Sequence, residues 1–204
     1  TLFPYTTLFR SGTHRFFRRM RERLPDLVIE NCSSGGHRLE PAMIGLSAMS
    51  SFSDCHEGLD IPIIAANAQR LLLPRQSQIW AVLTPGETLR RTVYSLAATF
   101  LGRMCISGEI WGLRDEQMDC LKEAQALYED AVPVIKSGRS RRYGPRVLTN
   151  RYPKGWQVVV REGANGKQLL SVVHRFEENL EDIVCPIPEG QWKIAGELSE
   201  GSTG

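Results

Sequence analysis

The sequence predicts an α/β chain in which strands and helices alternate up to about residue 140, followed by an all-β tail. Three observations carry this prediction. Short apolar runs end in clusters of small polar residues, at Asp26-Leu-Val-Ile-Glu30 before Asn31-Cys-Ser-Ser-Gly-Gly36 and at Met43 to Met49 before Ser50-Ser-Phe-Ser-Asp54. Leu89, Val93, Leu96, Ala97, Phe100 and Leu101 repeat at helical spacing along one stripe. Beyond residue 140, Trp156-Gln-Val-Val-Val160 and Gln168 to Phe176 are strand-like and flank Asn165-Gly166, a strong hairpin signal.

Taken in order, residues 1–11 (Thr-Leu-Phe-Pro-Tyr-Thr-Thr-Leu-Phe-Arg-Ser) read as the in-frame translation of a sequencing-adapter oligonucleotide, so they are expected to be an artefact outside the fold. Residues 13–23 place Phe16, Phe17 and Met20 among five arginines, as an amphipathic helix with a basic face that Pro25 ends. The segment 26–30 then reads as a strand, 43–49 as a second apolar unit and 60–73 as a helix around Ala65–Arg70. The stripe at 89–101 is the best-defined helix, and Gly102 to Ile110 reads as a short buried strand. A further helix spans 115–137, acidic at Asp115 and Glu116 as the macrodipole prefers, with Pro133 expected to kink or shorten its last turn. Arg139 to Pro145 reads as a basic link. Ile183-Val184 and Trp192 to Ile194 are expected to be further short strands, with Trp156 and Trp192 in the core of the β tail.

The chain has 204 residues, 42% hydrophobic and 24% charged, which describes a globular chain with material for a core. No run approaches the roughly 18 consecutive apolar residues of a membrane span. A formal charge of +2 is too balanced for nucleic-acid binding as the default, so neither nucleic acid nor membrane is an expected partner. Five widely spaced cysteines without a C-x-x-C point to a reducing, cytoplasmic setting. Cys32, His37, Cys55 and His56 match no standard metal site, so no metal and no cofactor is expected.

The alternation fits a (β/α) barrel or an open doubly wound sheet. Glu30 to Arg38 and Ser53 to Glu57 are the two dense polar clusters, each following a strand. Carboxylates at the C-terminal ends of barrel strands suit the paired acid and nucleophile work of glycoside hydrolysis. On residue type and position alone, Asp54 could equally cap the helix that follows it.

Glu30-Asn-Cys-Ser-Ser-Gly-Gly-x-Arg38, with Ser53-Asp54 starting 21 positions after Cys32, resembles the catalytic barrel of glycoside hydrolase family 36, the microbial α-galactosidases. Phe100 to Glu109 and Ile135-Lys-Ser-Gly138 extend the resemblance. It implies the C-terminal part of a (β/α)8 TIM barrel over residues 12–140 and an antiparallel β-sandwich over 141–204. It implies Asp54 as the general acid/base of a retaining enzyme that releases terminal α-linked galactose from melibiose- or raffinose-type sugars. It also implies Cys32 and Gly35 in the loop that holds the sugar 2-hydroxyl, with Arg38 bracing that loop. The family's nucleophile is an aspartate in an upstream Lys-x-Asp strand, and no residue before Cys32 matches it, so the chain by itself is expected to be an inactive fragment. Ser51, His37, Glu40 and Glu57 depart from the family's commonest residues, which bears on aglycone preference. A non-hydrolytic carbohydrate-binding relative and a raffinose-synthase-like transglycosylase share the same residues. The complete protein is expected to be a homo-oligomer.

Overall fold

The computed structural model describes residues 4–32, 36–52, 54, 58–147, 152–177 and 182–200. Helix α1 (Pro4–Arg23) is followed by β1 (Glu30–Asn31), α2 (Pro41–Ile44), β2 (Met49–Ser51), α3 (Ile61–Ala68), β3 (Ser77–Leu83), α4 (Leu89–Thr99), β4 (Arg103–Gly108) and α5 (Asp115–Ser137). Three antiparallel strands complete the order: β5 (Arg139–Tyr143), β6 (Trp156–Glu162) and β7 (Leu169–Arg175).

The first four strands form one parallel sheet in the order β1-β2-β3-β4, with no reversal. β3 is its most buried member, and the pleat sends Ile79, Ala81 and Leu83 into the core beside α3, α4 and α5. Its opposite face carries Gln78, Trp80 and Val82. This strand is absent from the sequence reading, although Gln78-Ile-Trp-Ala-Val-Leu83 between Pro74 and Pro85-Gly86 is the apolar run of a buried parallel strand. β4 is expected to be buried but is mostly half-exposed, because it ends the sheet and pairs on one side only.

Helix α4 forms where the stripe predicts, with the Thr88 hydroxyl accepting from Arg91 N–H as its N-cap. α5 runs to Ser137, so Pro133 neither ends nor shortens it. The carbonyl that loses its helical donor to Pro133 belongs to exposed Glu129, where water can serve it. α1 begins at Pro4, so one helix runs continuously through the expected junction at residues 11–12. It is tied to the two ends of α2, by His14 Nε2 on Glu40 Oε1 at 2.9 Å and by Arg21 Nη1 donating to Gly45 O.

The expected link at 139–145 is instead strand β5, paired along its whole length with β6. The hairpin β6–β7 forms as predicted, its turn held by Lys167 N–H donating to Asn165 Oδ1, with Gly166 at φ +65°. The inward face of this sheet carries Gln157, Val159 and Arg161 on β6 and Leu170, Val172 and His174 on β7, and it packs on α4 and α5. One hydrophobic core accordingly runs from Ile61 and Ile79 through Leu101 and Ile135 to Val159 and Val172. Neither 183–184 nor 192–194 is a strand, and no second antiparallel sheet forms among the described residues, so the sandwich is represented by a single three-stranded layer. Apolar runs as short as Ile183-Val184 and Trp192-Lys193-Ile194, separated by Pro186, Pro188 and Gly190, cannot sustain a ladder. Val184 and Ile194 are exposed, and Trp192 is only half-buried, its indole N–H donating to Pro188 O. Trp156 is likewise half-buried.

Candidate active site

Parallel pairing puts the C-terminal ends of β1 to β4 on one edge of the sheet. The register sets Glu30 beside Met49 and Asn31 beside Ser50, so the chain after β1 and the chain after β2 emerge as neighbours. Cys32 follows β1 directly and is exposed; Asp54 stands three residues beyond β2 and is exposed. Arg38 is exposed at the far end of the first loop. Gly35 lies outside the described residues, as do Ser53 and Cys55 to Glu57.

Asn31 organises the first loop. Its side chain is buried, and Nδ2 donates to Arg38 O at 2.8 Å, which ties the end of β1 to the backbone at Arg38. The same Nδ2 lies 3.5 Å from Ser50 Oγ on the neighbouring strand, and Oδ1 has no hydrogen-bond partner. Gly36, at φ +96°, has room for no side chain: a Cβ there would stand 3.0 Å from Phe52 O. Phe52 is two residues before Asp54, so the glycine lets the two predicted clusters pack backbone against backbone. No described carboxylate makes an ion pair with Arg38; its backbone carbonyl, through Asn31, is what braces the loop.

Asp54 does not cap the following helix. The N-cap of α3 is Asp60, six residues later, so the carboxylate of Asp54 is left on the open edge of the sheet. Leu59 and Asp60 bring the chain back into α3, with Pro62 in its first turn. Cys32 and Asp54 thus follow neighbouring strands at this edge, and Asn31, a member of the first polar cluster, shows its role only in its contacts.

Two thiols of the α/β layer are held neutral. Burial pushes the Cys105 thiol up, the hydrogen bond from Gln78 pulls against that, and the Glu30 carboxylate adds to it. A thiol so placed is a packing group rather than a nucleophile. Cys120 is almost fully buried on α5, and burial together with Glu123 pushes its thiol up to about 11. Among the described residues no group of three His, Cys, Asp or Glu side chains could hold a metal ion. No described helix is long and apolar enough to cross a membrane.

A parallel sheet whose C-terminal edge collects a carboxylate and a small polar loop belongs to the α/β class that works at that edge. No protein-family profile matches the chain. It is 23% identical over 166 residues to a probable α-galactosidase C of Aspergillus terreus, a match covering 78% of this chain and 21% of that protein. Among solved structures, it resembles the galactosidase domain of the α-galactosidase-sucrose kinase AgaSK, with TM-score 0.69, 19% identity, and coverage of 88% of this chain and 25% of that one. It also resembles the family 36 α-galactosidase AgaA of Geobacillus stearothermophilus, with TM-score 0.67, 17% identity, and coverage of 89% and 25%. Variants of AgaA have been solved with raffinose and with stachyose. The chain spans about a fifth of the length of the curated relative and a quarter of these solved chains. These likenesses give the fold, a parallel α/β layer joined to an antiparallel sheet in the arrangement of the C-terminal region of such enzymes.

Proposed function

We propose that this chain carries the acid/base side of the active site of a retaining α-galactosidase of glycoside hydrolase family 36. The observation that carries this is the placement of Asp54, exposed just beyond the C-terminal end of β2, free of helix capping and two residues after Phe52, whose carbonyl packs against Gly36. The similarity to α-galactosidases over most of the chain supports it. On this reading β1 to β4 are four consecutive staves of a (β/α)8 barrel. The unreversed strand order supports that, because a doubly wound sheet reverses its order at the switch point.

The chemistry follows from two carboxylates. A nucleophile contributed by a segment outside this chain attacks the anomeric carbon, while the Asp54 carboxylic acid protonates the departing glycosidic oxygen. The resulting carboxylate then takes a proton from the water that releases galactose. Cys32 and Gly35 line the 2-hydroxyl position, where hydrogen bonds tighten as the oxocarbenium-like transition state forms. Arg38 holds that turn closed, and the substrates are raffinose- and melibiose-type galactosides in a cytoplasmic setting. This chain without the nucleophile segment is inactive.

Replacing Asp54 by Ala in the complete enzyme should lower kcat/KM for raffinose by about 10²–10⁴-fold, the usual worth of a general acid. An activated aryl α-galactoside, whose leaving group needs no proton, should keep most of its kcat/KM. Equal activity of variant and parent on raffinose would refute the assignment.

A further inference from the structure

We propose that Tyr94 and Gln157 are positioning residues for Asp54, fixing the backbone of the loop that carries it at the point where that loop enters α3. The inference rests on the acid/base reading of Asp54.

The loop that leaves β2 must end in a helix start that is not capped by its own side chain: Asp60, the N-cap, makes no side-chain cap hydrogen bond. Two side chains from other elements hold the backbone there instead. The Tyr94 hydroxyl, on α4, donates to Leu59 O at 2.7 Å, immediately before the cap. Gln157, on β6, donates through Nε2 to Pro62 O at 3.0 Å, in the first turn. The carbonyls on either side of Asp60 are thus pinned from two directions, five to eight residues after Asp54.

Both pins are themselves held. Gln157 is completely buried, and its Oε1 accepts from Arg142 Nε at 3.0 Å, so the amide orientation is fixed with Nε2 toward Pro62. The Tyr94 ring meets the buried His174 ring edge-on at 4.9 Å, and the Arg91 guanidinium carbon lies 5.3 Å from its centroid. His174 Nε2 in turn donates to Tyr94 O at 3.4 Å. Gln157 and His174 face each other across the β6–β7 ladder. One end of the antiparallel sheet therefore holds α4 and the start of α3, and with them Leu59 and Asp60, the described end of the loop that carries Asp54. A misplacement of about 1 Å at a reacting group costs on the order of 10²-fold, so backbone anchors this near can govern proton delivery without touching sugar.

The test is Tyr94→Phe in the complete enzyme, which removes the hydroxyl and keeps the ring. The expected result is a loss of about 10- to 100-fold in kcat/KM for raffinose, an activated aryl α-galactoside changing by less than about twofold, and a thermal midpoint close to the parent's. Gln157→Leu should show the same leaving-group contrast; Gln157→Glu, which keeps the shape and an acceptor for Arg142 while losing the donor to Pro62, tests the same contact if the leucine variant does not fold. Equal losses on both substrates, or no loss on either, would overturn the positioning role. An Asp54→Ala control reads the underlying assignment separately. Contrast in Asp54→Ala without contrast in Tyr94→Phe removes the positioning role alone, whereas no contrast in Asp54→Ala removes both.

Discussion

Gly108 ends β4 at φ +98°, and a Cβ built there would stand 2.1 Å from Leu83 O, inside the neighbouring strand's backbone. Both the conformation and the space require glycine. Gly108→Ala should therefore destabilise the protein by at least about 2 kcal/mol, measured by urea unfolding. His174 makes a different demand. Burial holds its imidazole down to about 4, opposed by its hydrogen bond to Tyr94 O. In the unfolded chain the ring takes a proton near pH 6.5, so as pH falls from there toward 4 the unfolded state gains protons that the fold refuses, and stability drops. Between pH 7.5 and 5 the parent should lose about 2 kcal/mol more than His174→Phe, with no such difference above about pH 7. Unfolding curves with parallel pH slopes for the two proteins would show that His174 is not buried as described. Neither Gly108 nor His174 announces its role in the sequence, because each role lies in what stands beside the residue in space.

At the scale of elements, Gln117 shows how a helix start is fixed to a loop. It is completely buried; its Oε1 accepts from Arg114 N–H, and its Nε2 lies within hydrogen-bond distance of Thr84 O, Glu87 O and Thr92 Oγ1. It thus joins the first turn of α5 to the β3–α4 connection at the C-terminal edge of the parallel sheet. Gln117→Leu strands those partners and should cost about 1–3 kcal/mol in a denaturant titration. Elements with strong local signals were legible: the α4 stripe, the α5 run with its acidic first turn, and the β6–β7 hairpin around Asn165-Gly166. β1 is shorter than its apolar run predicts, since only Glu30 and Asn31 stand in ladder register with β2, and pairing rather than hydrophobicity sets where a ladder stops. β5 was misread as a link because Arg139-Ser-Arg-Arg-Tyr143 is polar on both faces; its order comes from β6, through contacts such as Arg161 Nε donating to Ser140 Oγ.

Across the whole molecule, the antiparallel sheet meets the helical side of the α/β layer through a polar set inside an apolar interface. Gln157 reaches Pro62 O, Arg161 Nη2 donates to Leu101 O, and His174 reaches Tyr94 O, so three side chains of the antiparallel sheet end on carbonyls of the α/β layer. Burial lowers the Arg161 pKa to about 10, still far above neutrality, so the guanidinium crosses the interface charged. Such contacts fix one relative placement of the layers where Val159 and Val172 alone would tolerate sliding. The sequence marks the polar clusters that hold Cys32, Arg38 and Asp54 because they follow apolar runs, whereas the roles proposed for these residues come from the family resemblance. The site's supports, Asn31, Tyr94 and Gln157, were not legible as such, since they act on backbone carbonyls of other segments. The central claim, that Asp54 is the acid/base of a retaining galactosidase, is tested most directly by azide rescue of Asp54→Ala in the complete enzyme. Azide entering the space left by the carboxylate should restore turnover of an activated aryl α-galactoside and yield α-galactosyl azide, with the substrate's configuration kept. Failure of azide to restore turnover, or formation of the β-azide, would contradict it.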